Sequence, residues 1–184
     1  MKRRTRLSAL LQAGAGLLAA SALAGSTVAH AVEVSISNRG TGKCLTVPNA
    51  SLAPRTPIIQ WICDAANVRG QRWLVLPMPD FWLVQNLDTS QCMTPVDFYN
   101  GAPVNQYPCY GDWSPQKWKP ITLTGNSEVR PWTVRLQSNV PLVTSAGQVV
   151  TICLDLENGD IRDGVPLQVW KCDSKTNNQK WNVR

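Results

Sequence analysis

From about residue 32 onward, apolar and polar positions alternate in short bursts that end at Gly, Pro, Asn or Asp. The stretches VEVSISN (32–38), RWLVLP (72–77), FWLVQN (81–86) and TVRLQSN (133–139) show the pattern. A two-residue period bounded by turn-forming residues predicts strands with one buried face. Thirteen prolines and twelve glycines leave no apolar stripe of helical period long enough for a confident helix. The expectation is an all-β chain.

The bursts repeat. The first copy reads GKCLTV (42–47), PIIQWIC (57–63) and GQRW (70–73). The second reads SQCMTP (90–95), PVNQYPC (103–109) and PQKW (115–118), and the third TICLDL (151–156), PLQVWKC (166–172) and NQKW (178–181). Each copy has a Cys, a second Cys further on, an aromatic two before that second Cys (Trp61, Tyr107, Trp170) and a Gln-x-Trp close. Repetition at fixed spacing decides architecture ahead of local propensity. Six cysteines admit about fifteen pairings. The matched spacings favour Cys44–Cys63, Cys92–Cys109 and Cys153–Cys172. Each bridge would stabilise by on the order of 3 kcal/mol in the chain-entropy model.

Residues 1–31 stand apart. Lys2, Arg3, Arg4 and Arg6 precede an apolar Leu/Ala run that closes on Ala29-His30-Ala31. A basic flank, a short apolar core and an A-x-A site predict a secretory signal peptide cleaved near Ala31, hence a secreted protein. The alternative, a membrane anchor, is disfavoured because Gln12, Gly14, Gly16 and Ser21 interrupt the run. Cleavage would remove four of the eighteen basic side chains and leave a nearly neutral chain. That removes the electrostatic basis for a nucleic-acid partner. It would also remove His30, the one histidine, and with it imidazole as general base or zinc ligand. No catalytic residue, cofactor or metal site is expected. The acidic stretch DLENGDIRDG (155–164) lacks the calcium-loop order and places Pro166 at the twelfth position, so it reads as a solvated turn.

Three units with Cys-[Leu/Met], aromatic-x-Cys and Gln-x-Trp resemble the ricin B-chain type of β-trefoil lectin, over essentially all of residues 33–184. The resemblance implies a single domain (32–184) of twelve strands with pseudo-threefold symmetry, six forming a barrel and six capping it as hairpins. The units would run about 33–78, 79–124 and 125–184. The extra residues of the third, TGNSEVRP (124–131) and VPLVTSAGQV (140–149), are expected as loops. Trp73, Trp118 and Trp181 are then core residues. Trp82, Trp113 and Trp132 fit no motif position.

The resemblance also implies a sugar site in any unit with an Asp two after the first Cys. Such a unit also has a Gln four before the second Cys, an aromatic two before it, and Asn or Asn-Gln leading into the closing Trp. The third unit supplies Asp155, Gln168, Trp170, Asn178 and Gln179. Gln179 has an equivalent in every copy and is expected to be mainly structural. The first unit has Thr46, Ile59 and Gly70 at the Asp, Gln and Asn positions; the second has Thr94, Asn105 and Pro115. Trp61 and Tyr107 are expected to pack more than bind. An indole covers the C–H face of a pyranose, a carboxylate accepts hydroxyl protons, and an amide both donates and accepts. The expectation is a carbohydrate partner, galactose-type by resemblance, bound mainly by the third repeat. The alternative is a trefoil that serves protein interaction or toxin delivery without binding sugar.

Overall fold

A computed structural model describes residues 30–64, 69–126 and 129–184. Apart from its last two residues, the predicted signal peptide lies outside them. Among the described residues, alternating patterning produces fifteen short strands and three single-turn 3-10 segments. The strands are β1 (Val32–Val34), β2 (Ile36–Asn38), β3 (Cys44–Thr46), β4 (Ile59–Trp61), β5 (Trp73–Pro77), β6 (Trp82–Asn86), β7 (Gln91–Pro95) and β8 (Ala102–Pro108). They continue as β9 (Trp118–Asn126), β10 (Val129–Ser138), β11 (Leu142–Val143), β12 (Val149–Val150), β13 (Ile152–Leu156), β14 (Leu167–Lys171) and β15 (Trp181–Val183). Among the described residues no helix is long and apolar enough to cross a membrane.

The pairings close a barrel. β1 pairs β5, β5 pairs β6, β6 meets β9 at Trp82 and Trp118, β9 pairs β10, β10 pairs β15 and β15 pairs β2, all antiparallel. β1 and β2 are one barrel strand broken at Ser35, whose N–H and C=O exchange hydrogen bonds of 3.0 Å with Arg184. Counting them once gives six barrel strands, two per repeat. The hairpins β3–β4, β7–β8 and β13–β14 supply the other six and cap one end. Neighbouring caps touch in a ring: Gln168 faces Pro103, Pro57 faces Asn105 and Ile59 faces Pro166. Closure removes the exposed edges that an open antiparallel sheet would present.

The expected twelve-strand trefoil is therefore present, with β11–β12 added as a separate hairpin over residues 142–150, where the sequence predicts a loop at 140–149. The described part of the expected loop at 124–131 is strand instead: β9 runs through Asn126 and β10 starts at Val129, with register shifts along the pair. Backbone pairing holds Thr124, Asn126 and Val129 in extended strands although the composition here signals a turn.

The core repeats with the sequence. Leu45, Met93 and Leu154, each one after the first Cys, are fully buried, as are Ile58, Val104 and Leu167, each five before the second. Trp73, Trp118 and Trp181 are also fully buried. Their indole N–H groups donate to the carbonyls of Leu45 (3.0 Å), Met93 (3.0 Å) and Leu154 (3.2 Å). Each tryptophan thus ties the end of its repeat to the beginning, and its buried area contributes a few kcal/mol, roughly 2–3 apiece. The three disulfides are Cys44–Cys63, Cys92–Cys109 and Cys153–Cys172, the pairing that spacing favours. Of the tryptophans without a motif position, Trp82 and Trp132 pair at 5.6 Å between centroids and pack against the core.

Candidate functional site

The three repeats part company at the residue two after the first Cys. In the first, Thr46 Oγ1 donates to Cys44 O (3.1 Å) and accepts from Gln71 Nε2 (3.1 Å). In the second, Thr94 Oγ1 donates to Cys92 O (2.9 Å) and accepts from Gln116 Nε2 (3.1 Å). Both hydroxyls are buried and occupied inside the protein. A carboxylate cannot copy that pattern, because it accepts and does not donate.

Asp155 stands at this position in the third repeat. It lies on β13 opposite Gln168 on β14, while Cys153 faces Trp170 two residues along. Since alternate residues share a face of a strand, Asp155, Gln168 and Trp170 project together. With Asn178 and Gln179 they line one cavity of about 540 Å³. All five residues expected from sequence are therefore brought to one place.

Asp155 is 5 % exposed. Burial raises its pKa above the usual carboxylate value; hydrogen bonds from Gln168 (Nε2 to Oδ2, 2.9 Å) and Gln179 pull it back, and the nearby Glu157 charge adds to the rise. Gln179 also donates to Lys171 O (2.9 Å) and accepts from Asp173 N–H (2.7 Å). Gln71 and Gln116 hold the same places, accepting from Asp64 N–H and Tyr110 N–H. Gln179 is thus a loop staple common to all repeats that additionally steadies Asp155.

Asn178 is fixed by its backbone: its carbonyl accepts from Leu156 N–H (3.1 Å) and Asn38 Nδ2 (3.0 Å), and its N–H donates to Thr176 Oγ1 (3.1 Å). Its side-chain amide has no hydrogen bond among the described residues. Gly159, at φ +64, makes room for it; a Cβ there would lie 2.7 Å from Asn178 Oδ1. Trp170 is 44 % exposed, a ring offered to solvent at the rim.

Sequence reasoning missed the neighbouring repeat's share. The β7–β8 turn abuts the site: Asn100 Oδ1 accepts from Lys171 N–H (2.7 Å), and a Cβ on Gly101 would sit 3.7 Å from the Trp170 ring. Asn158 and Thr176 complete the wall. Their only sequence signal was proximity to Asp155 and Asn178. Trp61 is 43 % exposed, as open as Trp170, so the first repeat presents a ring but carries Thr46 at the position of Asp155. Tyr107 instead packs with Tyr110 and Trp113. The acidic turn is tied down by ion pairs, Asp160 with Arg162 and Asp163 with Lys43, both at 2.5 Å. Among the described residues no group of three or more His, Cys, Asp or Glu is placed to hold a metal ion.

Residues 32–181 match the family model of the ricin-type β-trefoil lectin domain. The chain belongs to this family. Among solved structures, a designed threefold-symmetric protein, ThreeFoil, is 21% identical at a TM-score of 0.67, with 82% of this chain and 96% of that one covered. A ricin B-like lectin of Macrolepiota procera in complex with lactose is 16% identical (TM-score 0.61, covering 83% and 94%). The C-half of the earthworm R-type lectin in complex with GalNAc is 17% identical (TM-score 0.59, covering 83% and 97%). These likenesses show the fold alone. A search of curated proteins by sequence finds no match. Within the ricin-type trefoil, the repeated Gln-x-Trp is a fold element, and the difference among repeats lies at Asp155, Thr46 and Thr94.

Proposed function

We propose that the protein is exported and binds a galactose-type saccharide at its third repeat, acting as a lectin and not as a catalyst. One observation carries the reading. Of the three cap cavities, the third repeat's alone combines a buried carboxylate, an amide without a partner among the described residues and a half-exposed indole; the equivalent hydroxyls of Thr46 and Thr94 are turned to internal use.

A galactose ring carries its 4-hydroxyl axially, which leaves a continuous C–H patch on the opposite face. That patch suits the Trp170 ring, while Asp155 accepts hydroxyl protons in charge-assisted bonds. Asn178 and Gln168 add donors and acceptors at the edge. The lactose and GalNAc complexes of the fungal and earthworm lectins support the choice of sugar class. Three disulfides and the leader-like residues 1–31 support export. An open site of this size gains little after ordering costs, so a monosaccharide should bind with a Kd of about 1 mM.

A glycan array with the wild type beside Asp155→Ala tests the proposal. Galactose-terminated glycans should bind the wild type and not the variant. A silent array from a folded, disulfide-intact protein would instead favour an interaction or toxin-delivery trefoil.

A further inference from the structure

The position eight before the second Cys is the turn residue that each cap hairpin lays against its neighbour's aromatic. In the second and third repeats it is Gly101 and Gly164, at φ +91 and +83; a Cβ on either would sit 3.7 Å from the ring of Trp170 or Trp61. The first repeat keeps the left-handed backbone, φ +67, but places Arg55 there. This conformation favours glycine, so a long side chain in it needs a reason. The Arg55 guanidinium lies 5.9 Å from the Tyr107 ring centroid, over the second repeat's cavity.

That cavity, of about 400 Å³, differs from the third repeat's in sign as well as shape. Its wall holds Thr94 where the other has Asp155, and it adds Arg55, whose counterpart Gly101 presents no side chain to Trp170. Among the described residues Arg55 has no acidic partner. Tyr107 is bracketed by Trp113 (5.7 Å between centroids) and Tyr110 (6.3 Å), which are 40 % and 53 % exposed. Asn105, at the position of Gln168, carries a buried Oδ1 with no hydrogen-bond partner.

We propose that the second repeat binds an anionic saccharide, one bearing a carboxylate or a sulfate. Arg55 from the neighbouring repeat takes the anion, in the bidentate manner its planar fork favours. Tyr107 and Trp113 cover the C–H face of the ring, with Asn105 in the cavity wall beside them. Recognition here is the reverse of the third repeat, where the protein supplies the negative charge. None of these residues lines the Asp155 cavity, so the second site does not depend on the third.

Isothermal titration of the purified protein in an Asp155→Ala background, which removes the third site, tests it. The probes are a methyl glucuronide, a sulfated galactose, neutral methyl galactoside, sodium sulfate and an oligoglutamate peptide. At least one anionic sugar should bind, and more weakly as salt is raised. Its affinity should fall at least about tenfold in Arg55→Gly. That variant installs the residue both counterparts carry and keeps the fold. The preferred probe identifies the anion as carboxylate or sulfate. Failure of both anionic sugars, unchanged affinity in Arg55→Gly, or equal binding of sodium sulfate, methyl galactoside or the peptide would each overturn the proposal.

Discussion

Replacing Asp155 by Thr should uncouple stability from binding, because the first two repeats already show how a threonine fits. A threonine hydroxyl at this position can donate to Cys153 O and accept from the Gln179 amide, as Thr46 and Thr94 do with Cys44 O and Cys92 O and with Gln71 and Gln116. What is lost is the 2.9 Å bond from Gln168, worth about 1 kcal/mol, and Gln168 is open enough for water to replace it. What is relieved is a 5 % exposed carboxylate whose pKa is raised by burial. A raised folded-state pKa means that the charged form lowers native stability at neutral pH, and that this cost disappears as pH falls through the folded value. Asp155→Thr should therefore be within about 1 kcal/mol of wild type at pH near 7, or more stable. Its advantage should shrink in acid, where the wild-type side chain becomes protonated. Binding should fail: two charge-assisted bonds at roughly 1.5–3 kcal/mol each convert a Kd of about 1 mM into none measurable. Urea unfolding at neutral and acid pH, paired with lactose titration, gives both numbers. A loss of more than about 2 kcal/mol of stability at neutral pH, or retained lactose binding, would refute the reasoning.

Other expectations follow from the same geometry. Wild-type sugar affinity should fall in acid with a midpoint above the usual carboxylate pKa, since burial raises Asp155 and the sugar needs its charged form; a titration series over pH reads the midpoint. Gly159→Ala should lose about 1–2 kcal/mol from its left-handed backbone and weaken lactose binding by displacing the Asn178 amide. Thermal unfolding and calorimetry separate the two effects. Trp118→Ala, by contrast, should cost about 3–5 kcal/mol and leave Met93 O unpaired, which denaturant midpoints will show. Removing Cys153–Cys172 should lower stability by about 3 kcal/mol and also weaken lactose binding, because Cys172 lines the site beside Trp170. Removing Cys44–Cys63 should affect stability alone.

Much of the fold was legible because its information is repeated. Three Cys pairs, three aromatics and three Gln-x-Trp closures are local signals, and each recurs at matching spacing. The site was legible for the related reason that one copy keeps an acid and an asparagine where the others do not. The strand pairing of β13 and β14 then necessarily puts Asp155, Gln168 and Trp170 on one face. What escaped depends on contacts between repeats, which no single unit encodes. Arg55 over Tyr107, Gly101 against Trp170 and the Asn100–Lys171 bond all cross from one hairpin to the next. The Trp82–Trp132 pair joins β6 to β10 for the same reason. The inward role of Thr46 and Thr94 was also invisible, since a threonine in sequence does not reveal whether its hydroxyl faces a ligand or a glutamine.

The most direct measurement is an NMR titration of the indole N–H resonances with methyl galactoside. The Trp170 signal should move saturably, with Trp61 and Trp113 unchanged and the buried Trp73, Trp118 and Trp181 still. A stationary Trp170 while another indole titrates would show that saccharide, if held at all, is held somewhere other than beside Asp155.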